Sequence, residues 1–329
     1  MKKIKMLIIY ALITLLFVMS LSSCAKKQEK PAPESENEPK PVPPVVEEIE
    51  GEIISIMSGV DMVPYYKKQI DMQKEIEKQK KDLAIKLGVG SQDNSQEQNG
   101  ENKQKEQQTP ISQIDSLIKF EADPITINDI LLSEVLKAEA TDKKEDASKK
   151  IPTDIVFVWH EINTKVTGLH KKWNMLESEV TKSGASTEAI KGFENALNNL
   201  TISASEYNYL DTLFYSNKLT SYIPDLINNF KKKIPSPIYF MKYHLRQIIL
   251  DCRIKDYDKA AKDYNKLVIY KDGLVSQLIE KKLTKLANKL NTSVKDLETA
   301  LKLKDLNIIK IKASVLMSNI ESIKEEVSK

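Results

Sequence analysis

Beyond Pro152 the apolar positions return every three or four residues. Trp159, Val166, Trp173 and Val180 stand seven apart, and Ile162, Leu169 and Leu176 follow the first three at a distance of three. On a helix that alternation gathers one apolar seam on one face. Gly184 suits the helix end and Ser186 an N-cap two residues on, so the turn is short and the next helix runs antiparallel. That neighbour repeats the pattern through Ile190, Phe193, Leu197, Leu200, Ala204 and Tyr207. After a break bearing Pro and Lys, Ser236-Pro237 forms an N-cap/N1 pair opening a helix with the face Met241, Leu245, Ile248 and Cys252. Another begins near Asp256 with Tyr257, Ala261, Tyr264, Val268, Val275 and Leu278, and Gly273 marks a kink or break in it. Asn291-Thr292-Ser293 caps the final helical region, whose seam runs Leu306, Ile309, Ala313, Leu316, Ile320, Ile323 and Val327. Seams of this kind bury one another in a bundle. The expected fold is all-α: an antiparallel helical bundle of about five to seven helices over residues 111–329, preceded by disordered segments.

Upstream the pattern dissolves. Residues 24–50, with "PAPESENEPKPVPPVVEE", are rich in Pro, Glu and Lys and read as an extended, disordered tether. In 51–87, "GEIISIMSG" fits a short strand or a loop. Pro64 then opens a Lys/Glu-rich helix whose apolar positions, Met72, Ile76, Leu83 and Leu87, make only a thin stripe. Residues 88–110 are polar and low in complexity, and a domain boundary is expected there. A short helix follows Thr126 in "INDILLSEVLKAEA", then a Lys/Asp-rich linker. "DYDKAAKDYNKL" is similar to one helix of a tetratricopeptide unit, but no second copy follows at that family's period.

The N-terminus differs from all of this. Lys2, Lys3 and Lys5 precede an apolar run from Met6 to Leu21, and Ser22-Ser23-Cys24 close it. This is the anatomy of a secretory signal, residues 1–23. Leu21-Ser22-Ser23-Cys24 resembles the lipobox of bacterial lipoproteins. The resemblance implies a diacylglyceryl thioether on Cys24, cleavage just before it, and anchoring to the membrane by several acyl chains. Cleavage would take the formal net charge from +3 to zero, because residues 1–23 hold three lysines and no acid. The basic excess is therefore no nucleic-acid signature. Only Arg246 and Arg253 are arginines, which further disfavours base and phosphate reading. With Cys24 lipidated, Cys252 has no disulfide partner, and its apolar helix face points to a buried, inert thiol.

Catalytic signatures are missing: no glycine-rich phosphate loop, no GxSxG and no HExxH. His160, His170 and His244 do not stand in the Glu-x-x-His spacing of a bundle metal site, so no metal and no cofactor beyond the Cys24 lipid is expected. Two constellations remain. Asn163, His170 and Glu177 repeat every seven residues beside the seam, either as bundle-edge residues or as a polar strip in a pocket walled by Trp159 and Trp173. Arg246 and Arg253 are seven apart, with Tyr257 four later, so they could clamp an anion or pair with Asp251, Asp256 or Asp258. The expected function is a membrane-anchored, extracytoplasmic, non-enzymatic binding or interaction module, with an envelope protein or small molecule as partner and no nucleic acid. The alternative is a solute- or metal-binding bundle with an interhelical pocket near Trp159, Trp173 and Arg246. The expected location is the outer face of the plasma membrane, or the outer membrane in a cell with two.

Overall fold

Eleven helical segments and no strand occupy the described residues of the computed structural model, which are 39–86, 118–140 and 151–329. The segments are α1 (Val45–Asp61), α2 (Val63–Lys86), α3 (Ser133–Glu139), α4 (Ile155–Lys182), α5 (Thr187–Ser205) and α6 (Tyr209–Thr220). They continue with α7 (Ile223–Leu226), α8 (Ser236–Arg253), α9 (Tyr257–Glu280), α10 (Thr284–Leu303) and α11 (Leu306–Ser328). The fold is all-α as expected. Nine helices of twelve residues or more exceed the expected five to seven. Residues 41–329 form one unit; of the preceding unit, residues 1–40, only 39 and 40 are described. The signal segment, Cys24, the 88–110 linker and most of the tether lie outside the described residues.

The largest departure from expectation is α1. Its residues were divided between a tether ending at 50 and a short ambiguous element, yet Val46, Ile49, Ile53, Ile56, Met57 and Val60 are buried. Their spacing is helical, and α1 lies between α4 and α6 in the same continuous core as the C-terminal helices. Residues 41–44 are ordered too: Pro43 is buried and Pro41 bridges Lys231. Three prolines and two helix-weakening glycines, Gly51 and Gly59, mask this helix locally, and tertiary burial outweighs them. The separation of 51–87 from the bundle therefore fails for α1. α2 is less deeply covered: its buried residues stop at Ile70, leaving Met72, Ile76 and Leu83 half covered.

From α4 onward, short turns join successive helices under a common rule. Gly184, Tyr207, Lys255, Lys282 and Lys304 adopt left-handed φ of 80°, 58°, 63°, 62° and 55° after α4, α5, α8, α9 and α10. At the first four, the next residue's N–H returns to a carbonyl five residues back, as Ala185 to Val180 and Asp256 to Asp251, which consumes orphan carbonyls of the helix end. Side chains of Asp154, Ser186, Asn208, Asp256 and Asp305 cap the starts of α4, α5, α6, α9 and α11.

Two expected breaks are absent. α9 runs unbroken through Gly273, and Asn291-Thr292-Ser293 lies inside α10. There Thr292 and Ser293 donate back to the Asn288 and Lys289 carbonyls, an outlet that cap-type residues find within a helix. The Pro- and Lys-bearing break before Ser236 is confined to residues 227–235, and the chain ahead of it forms α6 and α7.

Candidate functional site

α8 is the polar axis of the molecule. Ile238, Met241, Leu245, Ile248, Ile249 and Cys252 are buried as an amphipathic face requires, but so are Lys242, His244, Arg246 and Asp251. A helix covered all round must supply partners for its polar groups. α8 packs on α6, α9 and α11, and these provide most of them.

On one side, Arg246 is 1% exposed and each of its three guanidinium nitrogens has a partner. Nε donates to Asn217 Oδ1 at 2.9 Å, Nη2 to Thr220 Oγ1 at 2.9 Å, and Nη1 to the Glu139 carboxylate of α3. Lys242 Nζ lies 2.9 Å from Glu139 and 2.8 Å from Glu321 of α11. Burial by itself would raise the Glu139 carboxyl, but Arg246 and Lys242 outweigh it and hold the group down at about 2. Burial likewise opposes the Lys242 ammonium, and Glu139, Glu321 and Glu50 reverse that, raising it above the usual lysine range. Glu50 of α1 stands beside the network; its burial raises the carboxyl despite the pull of Lys242 and Lys324. Three helices, α3, α8 and α11, are thus tied together by charges that compensate one another, and α6 adds neutral acceptors.

Seven-residue spacing places His244 and Asp251, with Gln247 between them, on another side of α8. His244 Nδ1 is 2.7 Å from Asp263 Oδ1 of α9, and the His244 ring stacks near Tyr270. Gln247 donates to Asp251 Oδ1 at 3.0 Å and accepts from Asn217 at 3.1 Å. The Cys252 thiol is buried and pushed up to about 12 by that burial and by Asp251, which makes it inert as expected.

A third polar cluster clasps the segment before α3. Asp61, fully buried at the end of α1, accepts from the N–H groups of Leu131, Leu132 and Ser133 at 2.7–2.9 Å and from the Ser133 hydroxyl at 2.6 Å. It caps α3 from a distant part of the chain, and Tyr209 donates to its other oxygen at 3.1 Å. Lys310 of α11 grips the same segment through the Ile127 and Ile130 carbonyls. Burial lowers the Lys310 ammonium below the usual lysine range.

The residues singled out from sequence do not converge. Trp159 and Trp173 are buried, but their faces are filled: Trp159 stacks on Tyr207 at 5.4 Å and Trp173 on Phe193 at 4.3 Å. Asn163 donates to the Trp159 and Ala204 carbonyls and His170 meets Thr201 at 2.7 Å, so both tie α4 to α5 as edge residues do. Glu177 is half-buried on the same strip. α4 packs on α1 and α5 while Arg246 belongs to the α3–α6–α8 junction, so the two tryptophans and Arg246 do not wall one pocket. The two arginines part as well: Arg253 is exposed, and Tyr257 donates to the Lys304 carbonyl at 3.1 Å. The acid that meets Arg246 is Glu139, 107 residues away, not its neighbours Asp251, Asp256 or Asp258. His244, Asp251 and Asp263 were not grouped from sequence; their signal was two ionisable side chains seven apart on a helix that also reads as core.

An open depression of about 730 Å³ between α10 and α11, lined by Lys285, Lys289, Thr292, Asp296, Val315 and Asn319, contains none of the candidate pocket or clamp residues. Among the described residues, no group of three His, Cys, Asp or Glu side chains could hold a metal ion, and no helix is long and apolar enough to cross a membrane. No protein-family model, curated protein or solved structure matches this chain.

Proposed function

We propose that this chain is a lipid-anchored, extracytoplasmic protein whose helical bundle is a non-enzymatic binding or interaction module. The observation that carries the anchor is the run from Lys2 through the apolar stretch to Leu21-Ser22-Ser23-Cys24. Cys24 bears the diacylglycerol, and the outer face of the plasma membrane is the proposed site. The binding role is supported by the interior, where the polar groups of α8 are met by hydrogen-bond partners and each tryptophan stacks on an aromatic ring. Recognition then falls to the surface. There Ile308, Ile311 and Val315 form an exposed apolar stripe along α11, beside the depression shared with α10.

The test is a Cys24→Ala variant followed by cell fractionation and acyl labelling. Loss of the label and release of the chain into the medium support the anchor. A Cys24→Ala chain that is exported, is unlabelled and still sediments with membranes overturns it.

A further inference from the structure

Asp251 sits in the last turn of α8, 1% exposed, with Gln247 bonded to Oδ1 and no donor at Oδ2. The carboxyl group of Asp263 on α9 stands against it, and His244 Nδ1 already occupies Asp263 Oδ1 at 2.7 Å. A buried carboxylate with no donor at its Oδ2, set against a half-buried one, is repelled by it, and a single shared proton removes the repulsion. We propose that Asp251 and Asp263 hold one proton between them, making the α8–α9 contact a latch that is closed in acid and weakens toward neutral pH. In the closed state the Asp251 carboxyl O–H donates to the Asp263 carboxylate, which also accepts from His244. On opening, that proton passes to water and both groups are left anionic.

On α8 itself Tyr243 stands near both carboxyls and His244 bonds Asp263, while the cations of the neighbouring helices are engaged elsewhere. On α9, Lys259 and Tyr270 share the face of Asp263, but the Lys259 ammonium is 2.8 Å from Asp256. α6 brings Lys218, which lies over the rings of Tyr222 and Tyr243. α7 contributes Asp225, near Tyr270. Glu139 of α3 and Glu321 and Lys324 of α11 gather around Lys242 and Arg246, on another side of α8. Burial first, and Asp263 in addition, raise the Asp251 carboxyl to about 6 against the opposing Gln247 bond. A carboxyl raised on folding contributes stability that is full below its unfolded value near 3.8 and is lost as pH rises through about 6.

The test compares urea unfolding of the wild type and Asp251→Asn across that window. The asparagine amide is a permanent donor to Asp263. Between pH of about 4 and about 6 the unfolding constant of the wild type should rise about thirtyfold more than that of the variant. Parallel curves overturn the latch. Should Asp251→Asn fail to fold, carboxyl-carbon NMR titration of the wild type with labelled aspartate decides. One step displaced well above the ordinary aspartate range supports the shared proton, and both groups titrating as ordinary aspartates refute it.

Discussion

α4 and α8 solve burial in opposite ways. Every seam position of α4, from Trp159 to Val180, is apolar and buried and needs no specific partner; hydrogen bonds such as those of Asn163 and His170 lie only at its edges. α8 buries a lysine, a histidine, an arginine and an aspartate among its apolar residues, and each depends on side chains from elsewhere in the chain. The first arrangement draws stability from area and shape; the second consumes part of it to fix which helices meet. A mispaired α4 still buries hydrocarbon. A mispaired α8 strands charge in the core.

Single truncations in the two helices separate these modes. Trp173→Ala should cost about 3–5 kcal/mol in denaturant unfolding, with no recovery from a second polar change. Arg246→Met should cost a similar ~3–5 kcal/mol because it leaves Glu139 buried against a single remaining cation. Adding Glu139→Gln should recover much of that loss, since the uncompensated charge goes with it. A double variant no better than Arg246→Met would show that the network is held by packing, as α4 is.

Acid sharpens the contrast. Glu139 is held at about 2 in the fold against 4.5 ordinarily, so its contribution is present above 4.5 and is lost as pH falls toward about 2. Burial makes the shift worth about 3 kcal/mol. The wild type should therefore lose this increment across that interval, and Glu139→Gln should not. The Trp173→Ala deficit should stay constant over the same range.

A smaller effect is expected where α5 meets the chain before α7. A Cβ built on Gly192 would lie 2.4 Å from the Tyr222 ring. Gly192→Ala should therefore cost about 1–3 kcal/mol through overpacking, read as a lowered denaturation midpoint. The smallest change goes the other way. Lys255→Gly and Lys282→Gly relieve a side chain in the left-handed region and should each add about 0.5–1 kcal/mol.

What could be read from sequence follows the same division. The α4 seam was legible residue by residue because its period is local. The cap of α5 was legible in Gly184 and Ser186 for the same reason. α1 was not, because Pro43-Pro44, Gly51 and Gly59 speak against a helix that only contact with α4 and α6 justifies. The α9 turn to α10 was misplaced because its left-handed residue is a lysine, Lys282, and nothing in a lysine-rich chain singles it out. At the candidate site, the prominence of Arg246 was visible from the scarcity of arginine. Its partner Glu139 was not, since a pairing across 107 residues leaves no periodic trace. The tryptophans were rightly placed inside; the pocket between them was already full of Tyr207 and Phe193.

The clasp on residues 127–133 carries a consequence for how the chain reaches this state. One jaw is Asp61, 70–72 residues before its partners, and the other is Lys310, 180 or more residues after its own. The Asp61 jaw needs only the chain through α3, but the Lys310 jaw cannot engage until α11 has arrived and the intervening helices have folded back. Such distant closures come late, after their loop entropy has been offset by local helix pairing. A ribosome-bound chain that has not yet emitted α11 has a complete α4–α5 hairpin and half a clasp. The molecule thus reaches its final packing only when α11 locks a segment synthesised 180 or more residues earlier.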